Sequence, residues 1–159
     1  MLALNEFSVG KLIDIKELSL VLPRDQYEHI FLVIPSQEKP MAIILSNRHK
    51  FEAFNVDETQ RWSGVVIHGV RIEVDKTDIL NPERETPPPG TVIRKGSQAF
   101  ILANIDQRWR QYERIAFIGD LPVTSENVSA GFRKWSIALG EGPQKRELFK
   151  VDVTTPQPE

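Results

Sequence analysis

From Val70 to Asp75 the chain alternates apolar and charged residues without a break, Val70-Arg71-Ile72-Glu73-Val74-Asp75. A period of two marks a strand with one wet face, because a helix carrying this pattern would scatter its apolar residues all round. Taken with the residues before it, Trp62 to Asp75 reads as a hairpin turning at His68-Gly69. That turn would pair Ile67 with Val70, Val65 with Ile72 and Ser63 with Val74. It would also put Trp62 on the face of Arg71, Glu73 and Asp75. The alternative is one long strand with a bulge at Gly69.

Other segments agree with a β-rich chain. His29–Ile34 and Met41–Leu45 are strand-length apolar runs closed by Pro35 and opened by Pro40, and they read as neighbouring strands buried on both faces. Phe7 to about Ile15 reads as a strand, followed by a second run ending at Pro23, with a helix over Lys11–Leu18 as the rival. Thr91–Ala103 reads as a hairpin turning at Lys95-Gly96. It would place Val92, Ala99, Ile101 and Ala103 on one face and Ile93, Phe100 and Leu102 on the other. Arg133–Leu139 and Arg146–Val153 read as a last hairpin across Gly140-Glu141-Gly142-Pro143. Between them, Asp106 is expected to cap a short helix over Gln107–Arg114, and Ser125–Gly131 reads as loop or a single helical turn. The expected fold is mainly β: a single-domain antiparallel sandwich or barrel with at most one or two short helices, over residues 1–153. Residues 154–159 are expected to be a disordered tail.

One connection stands apart. Residues 76–90 include Pro87-Pro88-Pro89 and exceed the usual length of about 4–6 residues. Extended, solvated backbone is expected there, either as a linker between two sets of strands or as a partner-binding arm.

Composition narrows the function classes. A net charge of -2 gives no global basic field for nucleic acid or an anionic membrane. The absence of cysteine removes thiol nucleophiles, thiolate metal sites and disulfides. The N-terminus lacks the basic start and apolar core of a secretory signal, and no apolar run approaches the roughly 18 residues of a membrane span. A cytoplasmic location is the expectation, with no membrane contact.

Catalytic motifs are sparse. Gly10-Lys11 is followed by Leu12 instead of the Ser or Thr of a phosphate-binding loop. Asn127-Val128-Ser129-Ala130-Gly131 has Asn where a nucleophile elbow needs its first Gly. His29, His49 and His68 are dispersed, so neither a metal site nor a cofactor is expected. The acids Asp75, Asp78, Glu83 and Glu85 surround the proline connection, where solvation alone accounts for them.

A more distinctive pattern is the basic neighbour beside every tryptophan: Arg61-Trp62, Arg108-Trp109-Arg110 and Lys134-Trp135. On a strand, adjacent residues point to opposite faces, so Trp62 and Trp135 can be core with Arg61 and Lys134 outside. Arg108, Trp109, Arg110, Tyr112 and Arg114 concentrate charge and aromatic rings within seven residues, the composition of a protein-contact hot spot. These five form the candidate partner-binding site. The function expected is a non-enzymatic binding or accessory module working through a protein partner or self-association. Two alternatives are a small hydrolase or isomerase with a carboxylate/histidine site assembled by the fold, and single-stranded nucleic-acid binding through the Arg/Trp/Tyr cluster.

Overall fold

The computed structural model describes residues 7–23, 29–35, 40–46, 50–56, 63–96, 98–106, 111–117 and 129–154. The protein is mainly β. Its described residues form three sheets, and every strand pairing within them is antiparallel. The helical content among them is two 3-10 turns, Leu12–Asp14 and Gly142–Gln144.

The first sheet holds β1 (Phe7–Lys11), β2 (Ser19–Pro23), β3 (Phe31–Ile34), β4 (Met41–Ile44), β5 (Ala53–Asn55) and β6 (Ser63–His68), in the order β1-β6-β2-β3-β4-β5. The third contains β7 (Arg71–Val74), β13 (Lys134–Leu139) and β14 (Arg146–Asp152), with β13 central. The second is built from β8 (Ile79–Leu80), β9 (Val92–Lys95), β10 (Gln98–Asp106), β11 (Gln111–Phe117) and β12 (Ser129–Phe132), in the order β11-β10-β9-β12-β8.

Alternation explains how the sheets close on one another. Leu20, Leu32, Ile43 and Ile67 of the first sheet share a buried cluster with Val92 and Ile101 of the second and Ile72, Trp135 and Ile137 of the third. The opposite face of the first sheet, with Val21, Val33, Ala42 and Val66, packs separately with Leu12 and Ile15. β3 and β4 are therefore buried on both faces, as their unbroken apolar runs require. The hairpin over Thr91–Ala103 also forms, with its turn one residue later than Lys95-Gly96: Lys95 pairs with Gln98, Phe100 with Ile93 and Ile101 with Val92. The last hairpin forms as well, with an irregularity in its register between Ile137 and Ala138.

The Trp62–Asp75 hairpin does not form. β6 lies between β1 and β2 in the first sheet, whereas β7 pairs with β13 in the third. Ser19 pairs with His68, and Val70 N–H donates to Leu18 O (3.1 Å), so backbone groups on both sides of Gly69 are used by the β2 side. Gly69, at φ 68°, redirects the strand from one sheet to the other, which is nearer the long-strand alternative. Perfect alternation establishes a strand, but it does not choose the strand's neighbour. Trp62 lies outside the described residues.

Three further expectations are corrected. The first strand stops at Lys11, where a 3-10 turn takes Leu12 and Ile15 into the second core cluster. Gln111–Arg114 is not helical but part of β11, where Leu102 pairs with Arg114 and Asn104 with Tyr112. A helix of eight residues is marginal in isolation, and pairing with β10 gives the same backbone groups regular partners. Ser129–Gly131, read as loop or helical turn, belongs to strand β12.

The proline connection is also not a free arm. Ile79–Leu80 joins the second sheet opposite Phe132 and Gly131. Asn81 organises a turn, its Oδ1 accepting from Glu83 N–H (3.0 Å) and its carbonyl from Arg84 and Glu85 N–H. Pro88 O accepts from both the backbone N–H (3.2 Å) and the hydroxyl (2.7 Å) of buried Thr91. Gly90 N–H donates to Leu102 O (2.7 Å), and the buried Trp135 Nε1 donates to Gly90 O (2.7 Å). The prolines remove competing donors and stiffen the path, while Thr91, Gly90 and Trp135 dock its end into the core.

A mixed-charge face on the third sheet

The register of the third sheet determines which side chains meet on its outer face. Val74, Trp135 and Val151 lie in one row across the strands and point into the core. Their neighbours along each strand must point the other way. Glu73, Ser136 and Lys150 therefore form one outer row. Lys134 pairs with Asp152, and Asp75 N–H donates to Lys134 O (2.9 Å), giving a second row of Asp75, Lys134 and Asp152. Those two rows, with Glu147, line an open depression of about 380 Å³.

The acids of this face are held in their charged forms. Glu73 is held below its ordinary carboxylate value, chiefly through a hydrogen bond from Lys145 Nζ (2.8 Å). Partial burial opposes this, and the charge of Lys145 and a contact from Arg71 (3.3 Å) add to it. Asp75 is lowered by Thr77, whose hydroxyl (2.6 Å) and backbone N–H (2.9 Å) both donate to Oδ1, and then by the charge of Lys134. Asp152 repeats the device with Thr154, hydroxyl at 2.5 Å and N–H at 2.9 Å, helped by Lys134 and Arg133. Asp-x-Thr occurs three times in the sequence, and two of the three, Asp75–Thr77 and Asp152–Thr154, fall at the ends of the two strands that flank β13. Lys134 lies between the two aspartates within electrostatic reach of both, and among the described residues no side-chain hydrogen bond joins it to either.

Beside this face, Arg133 donates two parallel hydrogen bonds to Asp78 from one guanidinium edge, Nη2 to Oδ1 at 2.6 Å and Nε to Oδ2 at 3.1 Å. The hydrogen bond to Asp78 is the main reason its pKa is raised, and the charges of Glu85 and Asp152 contribute. The pair ties the start of the proline connection to the residue before β13.

The residues singled out from sequence divide. Trp135 is buried and Lys134 is half-exposed on the other face, as adjacent strand residues must be. Asp75 lines the depression, but His68 ends β6 in the first sheet and does not join it. His29 approaches the Phe31 ring, centroids 6.0 Å apart, and His49 lies outside the described residues. Arg108, Trp109 and Arg110 lie outside them too, while the backbone of Tyr112 and Arg114 runs along β11, at the margin of the second sheet. Among the described residues, no three His, Asp or Glu side chains stand together to hold a metal ion, and no helix is long and apolar enough to cross a membrane. Sequence reasoning missed Asp152, Lys150, Glu147 and Lys145. The repeated Asp-x-Thr was the available signal.

The family model described as "Uncharacterised protein y4lG" matches residues 9–159. The chain belongs to the y4lG family. It is 34% identical over 150 residues to "Uncharacterized protein y4lG" of Sinorhizobium fredii (strain NBRC 101917 / NGR234), across 94% of this chain and 92% of that protein. No solved structure matches it.

Proposed function

We propose that this y4lG-family chain is a non-enzymatic binding module that engages a protein partner across the outer face of β7, β13 and β14. The observation that carries this is the state of the acids in the depression: Glu73, Asp75 and Asp152 are all lowered. A carboxyl that serves as a general acid near neutrality is tuned upward, by burial or by a like charge. These carboxylates are tuned the other way, Asp75 and Asp152 by hydrogen bonds from their own turns and Glu73 by Lys145 and Arg71, which suits electrostatic recognition. That favours binding over the hydrolase or isomerase alternative. For nucleic acid, a face carrying Glu73, Asp75, Glu147 and Asp152 around Lys134 and Lys150 has the wrong balance of charge. The Arg108, Trp109, Arg110, Tyr112 and Arg114 cluster is part of the proposal as a second contact region. It draws support from the position of β11 at the margin of its sheet, where strand edges recruit partners. Cytoplasmic residence belongs to the same proposal, and the cysteine-free sequence is compatible with it.

Quantitative affinity capture tests the face. Three baits are compared: the natural chain, a variant with Asp75→Lys and Asp152→Lys, and a charge-matched control with Glu83→Lys and Glu141→Lys on exposed positions elsewhere. A partner retained by the natural and control baits and lost from the face variant is the expected result. Equal capture by all three would remove the face from the proposal.

A further inference from the structure

We propose that the partner element is a helix presenting a basic–acidic–basic stripe, laid across the strands of the third sheet. This rests on the reading of that face as the binding surface and adds the chemistry of the partner. The outer row Asp75, Lys134, Asp152 has the sign pattern minus, plus, minus, and its three members sit on adjacent strands. Adjacent strands are about 4.7–4.9 Å apart, so the row spans roughly 10 Å between its two aspartates. Each aspartate uses Oδ1 for its own threonine and leaves Oδ2 outside those bonds. Around this row the remaining acids are already matched, Glu73 by Lys145 (2.8 Å) and Glu147 by Lys150 (3.4 Å). The Asp–Lys–Asp row is what the face offers a visitor.

Spacing selects the visitor's backbone. Same-face neighbours four apart on a helix have Cβ atoms about 5–6 Å apart, so charges at i, i+4 and i+8 cover about 10–12 Å. Same-face neighbours on an extended strand are about 6.6–6.8 Å apart, and three of them overshoot at about 13 Å. A second copy of this face is a poor occupant. A two-fold axis along β13 sets Lys134 on Lys134 and Asp75 on Asp152. An axis across the strands through the row of Asp75, Lys134 and Asp152 sets each of the three on its own copy. An axis midway between β7 and β13 pairs Asp75 with Lys134 but leaves Asp152 unmatched, so an isologous contact uses only part of the row.

Three fluorescent helical peptides test the inference. They share one alanine/glutamine background and differ at i, i+4 and i+8, as Lys-Glu-Lys, Lys-Lys-Lys and Glu-Lys-Glu. Their affinities for the full chain are read by anisotropy at two salt concentrations. Lys-Glu-Lys is expected to bind best, about fivefold tighter than Lys-Lys-Lys, as a few exposed ion pairs allow, with the preference shrinking at high salt. Lys134→Glu, at a half-exposed position, is expected to invert that order so that Lys-Lys-Lys binds best. Absence of binding, equal affinities, or an order unchanged by Lys134→Glu would overturn the helix proposal. If the peptides fail while the capture experiment still loses its partner in the face variant, the face stands and only the helix chemistry falls.

Discussion

At the scale of single residues, one tight constraint is the contact between Gly90 and Phe51. A Cβ built on Gly90 would lie 2.5 Å from Phe51 Cζ, and Gly90 itself sits at φ 90°. Phe51 has little room to move, since it adopts φ 66° and bonds on both sides: its N–H donates to Ile44 O (2.6 Å) and its carbonyl accepts from Asn104 N–H (2.7 Å). Gly90→Ala is therefore expected to destabilise by about 2–4 kcal/mol, combining backbone strain with overpacking. Gly142→Ala is the control, because Gly142 is also left-handed (φ 57°) but has nothing within 4 Å of the new methyl. It should cost only about 1–2 kcal/mol. Urea unfolding of both variants checks this, and equal losses would show that the Phe51 contact contributes nothing. None of it was legible in sequence, because Gly90 meets a partner far away in the chain. The inward face of Trp135 was legible, since strand alternation alone separates it from Lys134.

At the scale of elements, Asp-x-Thr turns hold the charged ends of β7 and the β14 margin. Thr77→Val and Thr154→Val each remove a hydroxyl donor, so the Asp75 and Asp152 carboxyls should titrate higher, nearer the ordinary value of about 3.9. Carboxyl-detected NMR titration measures this, and unchanged midpoints would contradict it. Because both carboxyls are lowered in the folded chain, the stability they contribute is present above their unfolded value and lost as pH falls through the lowered one. The acid limb of the stability profile below about pH 4 should shift to higher pH in the double valine variant. The proline connection behaves as part of the fold. Deleting residues 83–88 would strain the path from the Arg133–Asp78 pair to the docked Gly90. It should lower the melting temperature by several degrees, and an unchanged melt would restore the picture of a solvated arm. The prolines point to an extended, solvated connection, whereas the segment carries a turn at Asn81 and docks at Gly90. They could not reveal that Thr91, Gly90 and Trp135 supply hydrogen bonds at its end.

At the scale of the whole molecule, strand identity was far more legible than strand partnership. The alternation of Val70–Asp75 and the double-faced runs of β3 and β4 translate directly into strands, because burial on a sheet has a period of two. Partnership depends on contacts distant in the chain, so β7 was assigned to its sequence neighbour when its true partner is β13. The same gap hid the candidate site. Asp75 and Asp152 are distant in sequence and become a row only because β13 lies between β7 and β14. The proposal that this row meets a protein partner is tested most directly by photo-crosslinking in living cells. A photoreactive residue replaces Lys150, whose side chain is exposed on the face, and in a second strain replaces Glu141, which is also exposed. The expected result is a discrete protein adduct from position 150 that is absent from position 141 and is lost when Asp75→Lys and Asp152→Lys are added. Adducts indifferent to position, or none from position 150, would contradict the assignment of this face as the binding surface.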